Sequence, residues 1–285
     1  MAAVFQGCNS RSTETRDDPL AYVSYIPADA LGGTERISSK GFFLELTEVT
    51  NERFAEFIKE TGYKSSNTLF LDHWKKLPNG DRVIPPGLES HPVVNVSAMD
   101  AEEFVKWRRM RLPTKSEWEA AAGFGVDGGY PFGIWQNLRA NTLELGLGHT
   151  TPVGLFENGR SALQLYDLAG NAGELTIAPN GGCVVKGGSF LQNRLRVIPS
   201  DEEPVLSYQF SAPDVGFRCA ADAVPFLLER VMRSGAGFDT KSRWLSGFLQ
   251  RSGVTARAFL NIFKDEYPES RTLIMNAFAA PRAPK

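Results

Sequence analysis

Apolar and polar positions change period several times along this chain of 285 residues. From Ala21 to Pro27 they alternate, which predicts a strand, and Gly32-Gly33 then turns the chain. Phe42 to Val49, rich in aromatic and β-branched residues, predicts a second strand. The spacing then becomes helical. Thr50 is placed to cap a helix from Asn51 to Glu60, with Phe54, Phe57 and Ile58 on one face and Gly62 at its end. Residues 63–90 carry Asn79-Gly80, Pro85-Pro86 and Gly87, and read as a long loop. Ser97 caps a second helix, on which Ala101, Phe104, Val105 and the apolar stem of Arg108 share a face. Thr114-Lys115-Ser116-Glu117 is a capping box, in which the Thr114 side chain accepts from the Glu117 backbone and Glu117 reaches back. Trp118, Ala121 and Ala122 follow on the inner face, and Gly123 stops this third helix.

From Gly123 to Gly182 the periodicity fades and Gly, Asn and Pro crowd in. Such a tract holds a shape only through specific turns, bound ions or a tight hydrogen-bond network. Beyond Pro225 helical spacing returns. Leu227, Leu228 and Val231 mark one helix; Trp244, Leu245, Phe248 and Leu249 mark a second; Phe259, Leu260 and Phe263 mark a third. Gly253 and Pro268 punctuate them, so three or four short amphipathic helices are expected.

A hydrophobic content of 42% is enough for a sizeable core. The net charge of −2 supplies no bulk attraction to nucleic acid, and none is expected as a partner. Charge is unevenly placed: residues 226–285 hold 10 Lys and Arg against 5 Asp and Glu, leaving the remainder at −7. Such a basic tail is either a solvated helical face or a docking element for the acidic body, a partner or an anionic surface. No run reaches the roughly 18 apolar residues of a membrane-spanning helix. At the N-terminus, Ala2 to Gly7 before Cys8 reads as the end of a lipoprotein signal, and the polar run Ser10 to Asp18 as a tether. A frayed terminus with an incidental cysteine fits the same residues.

Several phrases in order resemble the formylglycine-generating enzyme (sulfatase-modifying factor) family. They include Glu48-Val49-Thr50-Asn51, His91-Pro92-Val93-Val94-Asn95-Val96-Ser97 and Arg111-Leu112-Pro113-Thr114-Lys115-Ser116-Glu117-Trp118-Glu119. Further on come Tyr130-Pro131-Phe132-Gly133, Leu165-Tyr166-Asp167-Leu168-Ala169-Gly170-Asn171, Lys186-Gly187-Gly188-Ser189-Phe190 and Gly216-Phe217-Arg218. The resemblance spans residues 21–222. It implies an α+β chain with that family's variant of the C-type-lectin-like fold, much irregular structure, and a helical C-terminal extension over 223–285. Residues 1–20 are then a signal remnant or disordered tether.

The resemblance also implies sites. By position, Asp167 and Glu174 would supply carboxylates and Gly170 and Ala172 carbonyls to a structural calcium, an ion that takes six to eight hard oxygens. Asn141 and the carbonyl of Thr142 match part of a second ion site, whose distal acidic partner is not evident. Turn capping and surface ion pairing are the plainer roles for these acids. The strands expected to carry Cys183 and Cys219 are neighbours in the resembled fold, so these two residues are candidates for a disulfide, with buried free thiols as the alternative.

The departures are as informative. Active members of the family bind copper through two cysteines between Gly-Gly-Ser and Gly-Phe-Arg, yet here Leu191 to Val197 contains none. The family's Trp-Glu-Trp has become Gly173-Glu174-Leu175, its Arg before Gly-Gly-Ser is Lys186, and an expected aromatic is Ala98. Iron as in the ergothioneine-type relatives is not expected, because His73, His91 and His149 have no paired spacing. His91 belongs to a fold phrase and His73 reads as a surface residue. Ser189 lies near the family's groove but has no histidine to activate it, while Arg194 and Arg196 stand where the thiols would be, as anion binders or as a solvated edge.

These features together lead to an expectation of a scaffold without copper or catalysis, outside the cytoplasm and anchored through Cys8. It would recognise an unknown protein or small ligand at the cell envelope, with calcium for structure. The alternative is an oxidoreductase of the same family acting on a peptide or siderophore-type substrate without the thiolate pair.

Overall fold

A computed structural model describes residues 18–31, 40–123, 129–197 and 203–280. Cys8 lies outside them. The chain divides into two units. Residues 24–225 form one, and the other joins the N-terminal residues up to Val23 with 226–285.

The first unit is built on short strands and three capped helices. Strands β1 (Val23–Ile26), β2 (Phe42–Glu45) and β8 (Ala220–Asp222) form one sheet in the order β1-β2-β8. β2 and β8 are antiparallel, with Phe43 opposite Ala221. The expected strand from Phe42 to Val49 ends early, at Glu45. From there the backbone leaves the sheet while Val49 N–H still donates to Phe217 O at 2.8 Å. A second sheet has the order β6-β5-β7: β5 (Gly173–Ile177) lies antiparallel to β6 (Cys183–Lys186) and parallel to β7 (Val215–Gly216). The loop over 63–90 also folds back on itself. There β3 (Lys75–Lys76) pairs with β4 (Arg82–Val83), and their lysines and arginine gave no strand pattern to read.

The helices start where their caps predict. Thr50 Oγ1 accepts from Arg53 N–H at the head of α1 (Asn51–Thr61), and Gly62 ends it in the left-handed region. Ser97 and Asp100 exchange bonds in a capping box before α2 (Ala98–Trp107). Thr114 and Glu117 do the same before α3 (Lys115–Gly123), at 3.2 and 3.0 Å. Each cap contributes about 1 kcal/mol, enough to fix where a short helix begins. The helices then bury aromatic faces. Phe54 of α1 stacks on Phe104 of α2 with ring centroids 5.4 Å apart, and Phe217 meets both rings edge-on. A second apolar cluster gathers Phe42, Leu44, Trp118, Ala121, Leu165 and Leu168. Leu165 and Leu168 of this cluster come from the turn-rich tract that carries the site.

The boundary between the units falls within α4 (Ala223–Leu227), which leads into a wide helical turn over Leu228–Met232 in the second unit. The long α5 (Phe238–Glu266) is broken at Gly253, whose φ of 60° and ψ of −129° no helix interior accommodates. The break separates two amphipathic halves, one burying Trp244, Leu245 and Phe248, the other Phe259, Leu260 and Phe263. α6 (Arg271–Ala279) packs on α5 with Leu273, Ile274 and Ala277 buried. Arg251 ties the N-terminal residues into this unit by donating to Leu20 O at 2.8 Å.

Candidate functional site

The tract from 139 to 190 is organised around Asn171. Its backbone has a φ of 58°, a left-handed conformation that asparagine tolerates better than most residues. Its side-chain Oδ1 accepts from Thr151 N–H (2.8 Å), Thr151 Oγ1 (3.2 Å) and Asn141 Nδ2 (3.2 Å), while its Nδ2 donates to Glu48 Oε1 (2.9 Å). Its backbone N–H donates to Asn141 O at 2.7 Å, and its carbonyl accepts from Phe190 N–H. The turn needs Gly170 before it, because a Cβ there would lie 2.3 Å from Asn141 O. Asn171 is fully buried, so it substitutes for the sheet or helix this segment lacks.

Next to this knot is a second buried polar group. Arg218 reaches Glu174 with a two-pronged fork, Nε to Oε2 at 2.6 Å and Nη2 to Oε1 at 2.5 Å. Trp118 Nε1 adds a third donor to Glu174 at 2.7 Å. The remaining guanidinium hydrogens go to the carbonyls of Glu45, Leu46 and Tyr166. Both charged side chains are 0% exposed. A pair this deep is retained only when nearly every donor and acceptor is matched, which is the case here.

The expected calcium set therefore separates. Glu174 is saturated by Arg218 and Trp118 and offers no free oxygen, whereas Asp167 takes Gly154 N–H at 2.6 Å and faces the carboxyl of Glu48. Three buried acids, Glu48, Asp167 and Glu174, thus surround the cation Arg218. Burial, together with the surrounding acids, pushes Glu48 well above the usual carboxylate range; for Asp167, burial is the main cause of a rise to about 6. Glu48 Oε2 and Asn141 Oδ1 are buried without a hydrogen-bond partner. Glu48 and Asp167 are held toward the neutral form by burial, and a cation beside them would favour their ionised form; such an ion would be held by Asp167, Glu48 and carbonyls of the Gly170-to-Ala172 turn, while Glu174 is occupied by Arg218 and Trp118. Among the described residues no three His, Cys, Asp or Glu side chains converge as a metal set, so such an ion would depend on backbone oxygens.

At the second expected ion position the side-chain donors are engaged, while Asn141 Oδ1 is left without a partner. Asn141 Nδ2 donates to His149 O (2.9 Å), Thr142 Oγ1 donates to Glu144 Oε2 (2.8 Å), and the Thr142 carbonyl accepts from Leu145 N–H.

Ser189 is buried and not presented to solvent. Its Oγ donates to Asp214 Oδ2 at 2.6 Å and accepts from Leu191 N–H, so it shapes the loop that follows. Residues 191–196, including Arg194 and Arg196, are exposed, and Val197 tucks back beneath them. Gly188 makes room for this: its φ is 63°, and a Cβ there would lie 2.6 Å from Val197.

Cys183 and Cys219 are free thiols, so the candidate disulfide does not form. Cys183 lies in β6 and its Sγ donates to Ser207 O at 3.3 Å. Cys219 lies outside the strands, just before β8, where burial and the neighbouring Glu45 push its thiol up. Burial likewise raises Cys183 to about 11. The thiols thus face different acceptors, one from β6 and the other from the residue before β8.

His91 and His149 meet at Thr150, where burial first and then the charge of His149 disfavour protonation of His91. His91 Nδ1 meets Thr150 Oγ1 and His149 Nδ1 meets the Thr150 carbonyl. His73, expected at the surface, is instead half-buried with Nε2 on Asn51 Oδ1 at 3.0 Å, and burial lowers it to about 4. Lys186 is fully buried between Glu119 and Glu203, at 2.7 Å from each. The sequence named Lys186 only as a departure; its two partners, 67 and 17 residues away, left no local trace. Glu48 and Arg218 were visible only inside longer fold phrases.

The short strands, capped helices and network-held loops define the formylglycine-generating-enzyme-like variant of a lectin-type fold. A solved structure with this fold, PvdO from Pseudomonas aeruginosa, superposes with a TM-score of 0.53 over 70% of this chain and 90% of its own, at 20% identity. The model of the sulfatase-modifying factor enzyme 1-like domain matches residues 28–223, and the chain belongs to this family. A formylglycine-generating enzyme of Streptomyces coelicolor is 31% identical over 71% of this chain and 85% of its own length. The mouse protein named inactive C-alpha-formylglycine-generating enzyme 2 is 28% identical over 68% and 80%.

Proposed function

We propose that this chain is a recognition member of the family that has relinquished copper oxidation, acts outside the cytoplasm at the cell envelope, and braces its turn-rich tract with calcium. The thiol inventory carries this reading. Copper(I) is held by thiolates. The loop from Leu191 to Val197 has none, and Cys183 and Cys219 are buried, separately engaged and pushed away from the thiolate form. The intact buried network beside that loop supports a scaffold kept for its surface. A tether at Cys8 belongs to the same reading; palmitate labelling of the expressed chain, lost in Cys8→Ser, would support it.

A second reading, oxidation of a peptide or siderophore-type substrate without the thiolate pair, draws support from the 31% identity to a named formylglycine-generating enzyme. Oxygen consumption separates the two. The purified full chain is given copper(I), a thiol reductant, and cysteine-containing peptides or phenolic substrates. Uptake equal to that of the denatured control is expected; uptake above it overturns the recognition reading.

A further inference from the structure

Resting on that reading, we infer that the face made by residues 143–147 and 191–196 binds an acidic amphipathic segment of a partner protein. Scattered exposed leucines are ordinary on a protein surface. Here Leu143 (55% exposed), Leu147 (42%), Leu191 (49%) and Leu195 (68%) lie on two stretches that the fold locks side by side. Leu143 N–H donates to Gln192 O and Arg194 N–H donates to Glu144 Oε1, both at 2.9 Å. Glu144 is itself held by Thr142, so the apolar side chains stand on a fixed base. Four exposed leucines on two bonded stretches offer apolar area to a partner.

The charges on this face select the occupant. Arg194 and Arg196 are exposed beside the leucines. The face's own acid, Glu144, is committed to the Arg194 backbone and the Thr142 hydroxyl, and no described residue forms an ion pair with Arg196. Guanidiniums pair with carboxylates two-pronged, so the face suits alternating apolar and acidic side chains and repels basic ones. Recognition of an anionic lipid surface draws on about four to eight clustered basic residues, more than this face carries, which favours protein over membrane.

The test uses the full chain and three labelled 12-residue peptides in fluorescence anisotropy: alternating Leu and Glu, the same with Lys for Glu, and the same with Ser for Leu. The Leu/Glu peptide is expected to bind, and the other two on the order of tenfold more weakly. Arg194→Glu with Arg196→Glu, and separately Leu143→Ser with Leu195→Ser, should each weaken it by a similar factor without moving the thermal midpoint, because all four side chains are exposed. Equal binding of the Lys peptide, no binding of any peptide, or unaltered affinity in the variants overturns the inference. So does concentration-dependent dimerisation abolished by the leucine variant, which assigns the face to a second copy. Sedimentation with anionic vesicles but not with peptide assigns it to lipid and overturns it as well. None of these readouts involves oxygen or copper, so they fail or succeed apart from the oxygen-uptake test.

Discussion

Replacing Arg218 with methionine keeps most of the side-chain volume and removes every polar contact the guanidinium makes. Glu174 is then left buried with only Trp118 as a donor, near two further acids. Breaking a buried ion pair from one side costs about 3–5 kcal/mol. The carbonyls of Glu45 and Tyr166 lose a charged donor as well, at about 1 kcal/mol or more each, while Leu46 O keeps the Tyr166 N–H at 2.8 Å. The expected loss, about 5–7 kcal/mol, is comparable to the whole stability of a typical domain. Adding Glu174→Leu removes the orphaned charge, so the double variant should recover about 3 kcal/mol relative to the single. Urea unfolding followed by tryptophan emission reads this directly, since Trp74, Trp107, Trp118 and Trp135 lie within 24–225. A loss under about 2 kcal/mol for Arg218→Met, or a double variant as unstable as the single, would show that the fork does not brace the tract.

Three further outcomes are expected. Calcium at about 100 times its Kd should raise the unfolding free energy by ~2.7 kcal/mol, an effect lost in Asp167→Asn and Glu48→Gln; a thermal midpoint that ignores calcium and chelator alike rejects the ion. Gly170→Ala should cost more than about 2 kcal/mol in urea, because its Cβ would collide with Asn141 O, while Gly62→Ala, also left-handed but with open space around it, should cost about 1 kcal/mol. His73 titrates near 4 when folded against 6.5 as its ordinary value. Protonation therefore favours the unfolded chain, and stability is full above 6.5 and falls as pH drops toward 4, by at most about 3 kcal/mol; a His73→Gln variant with the same pH slope refutes this.

The parts of this fold legible in the sequence are those written within four residues. The caps at Thr50, Ser97 and Thr114, the stop at Gly62 and the break at Gly253 depend on local backbone geometry, and the structure has them all. The family phrases contain Asp167 and Asn171, which hold buried hydrogen bonds in this tract. What escaped is the pairing across sequence. Arg218 answers Glu174 from 44 residues away, and Lys186 answers Glu119 from 67. Neither spacing leaves a periodic trace, so Glu174 read as an open ligand and Lys186 as a mere substitution. The disulfide expectation failed for a related reason: closeness of segments says nothing about which way two thiols point, and each found its own acceptor. His73 was misjudged because a long loop was taken to be a surface, whereas Leu71 and Trp74 beside it are core residues.

In this fold the buried network and the loop over residues 191–196 are held by separate contacts. The buried network depends on Asn171, Glu174, Arg218 and Glu48, and none of them contacts residues 191–196 through a side chain among the bonds that hold the tract. The loop is attached instead through Ser189, Gly188 and backbone bonds to Leu143 and Glu144. Its side chains point outward, so exchanging them costs the core little. The loop's side chains can therefore change while the contacts of the buried network stay as they are. Selection on the network is selection on folding, and selection on the loop is selection on what the surface meets.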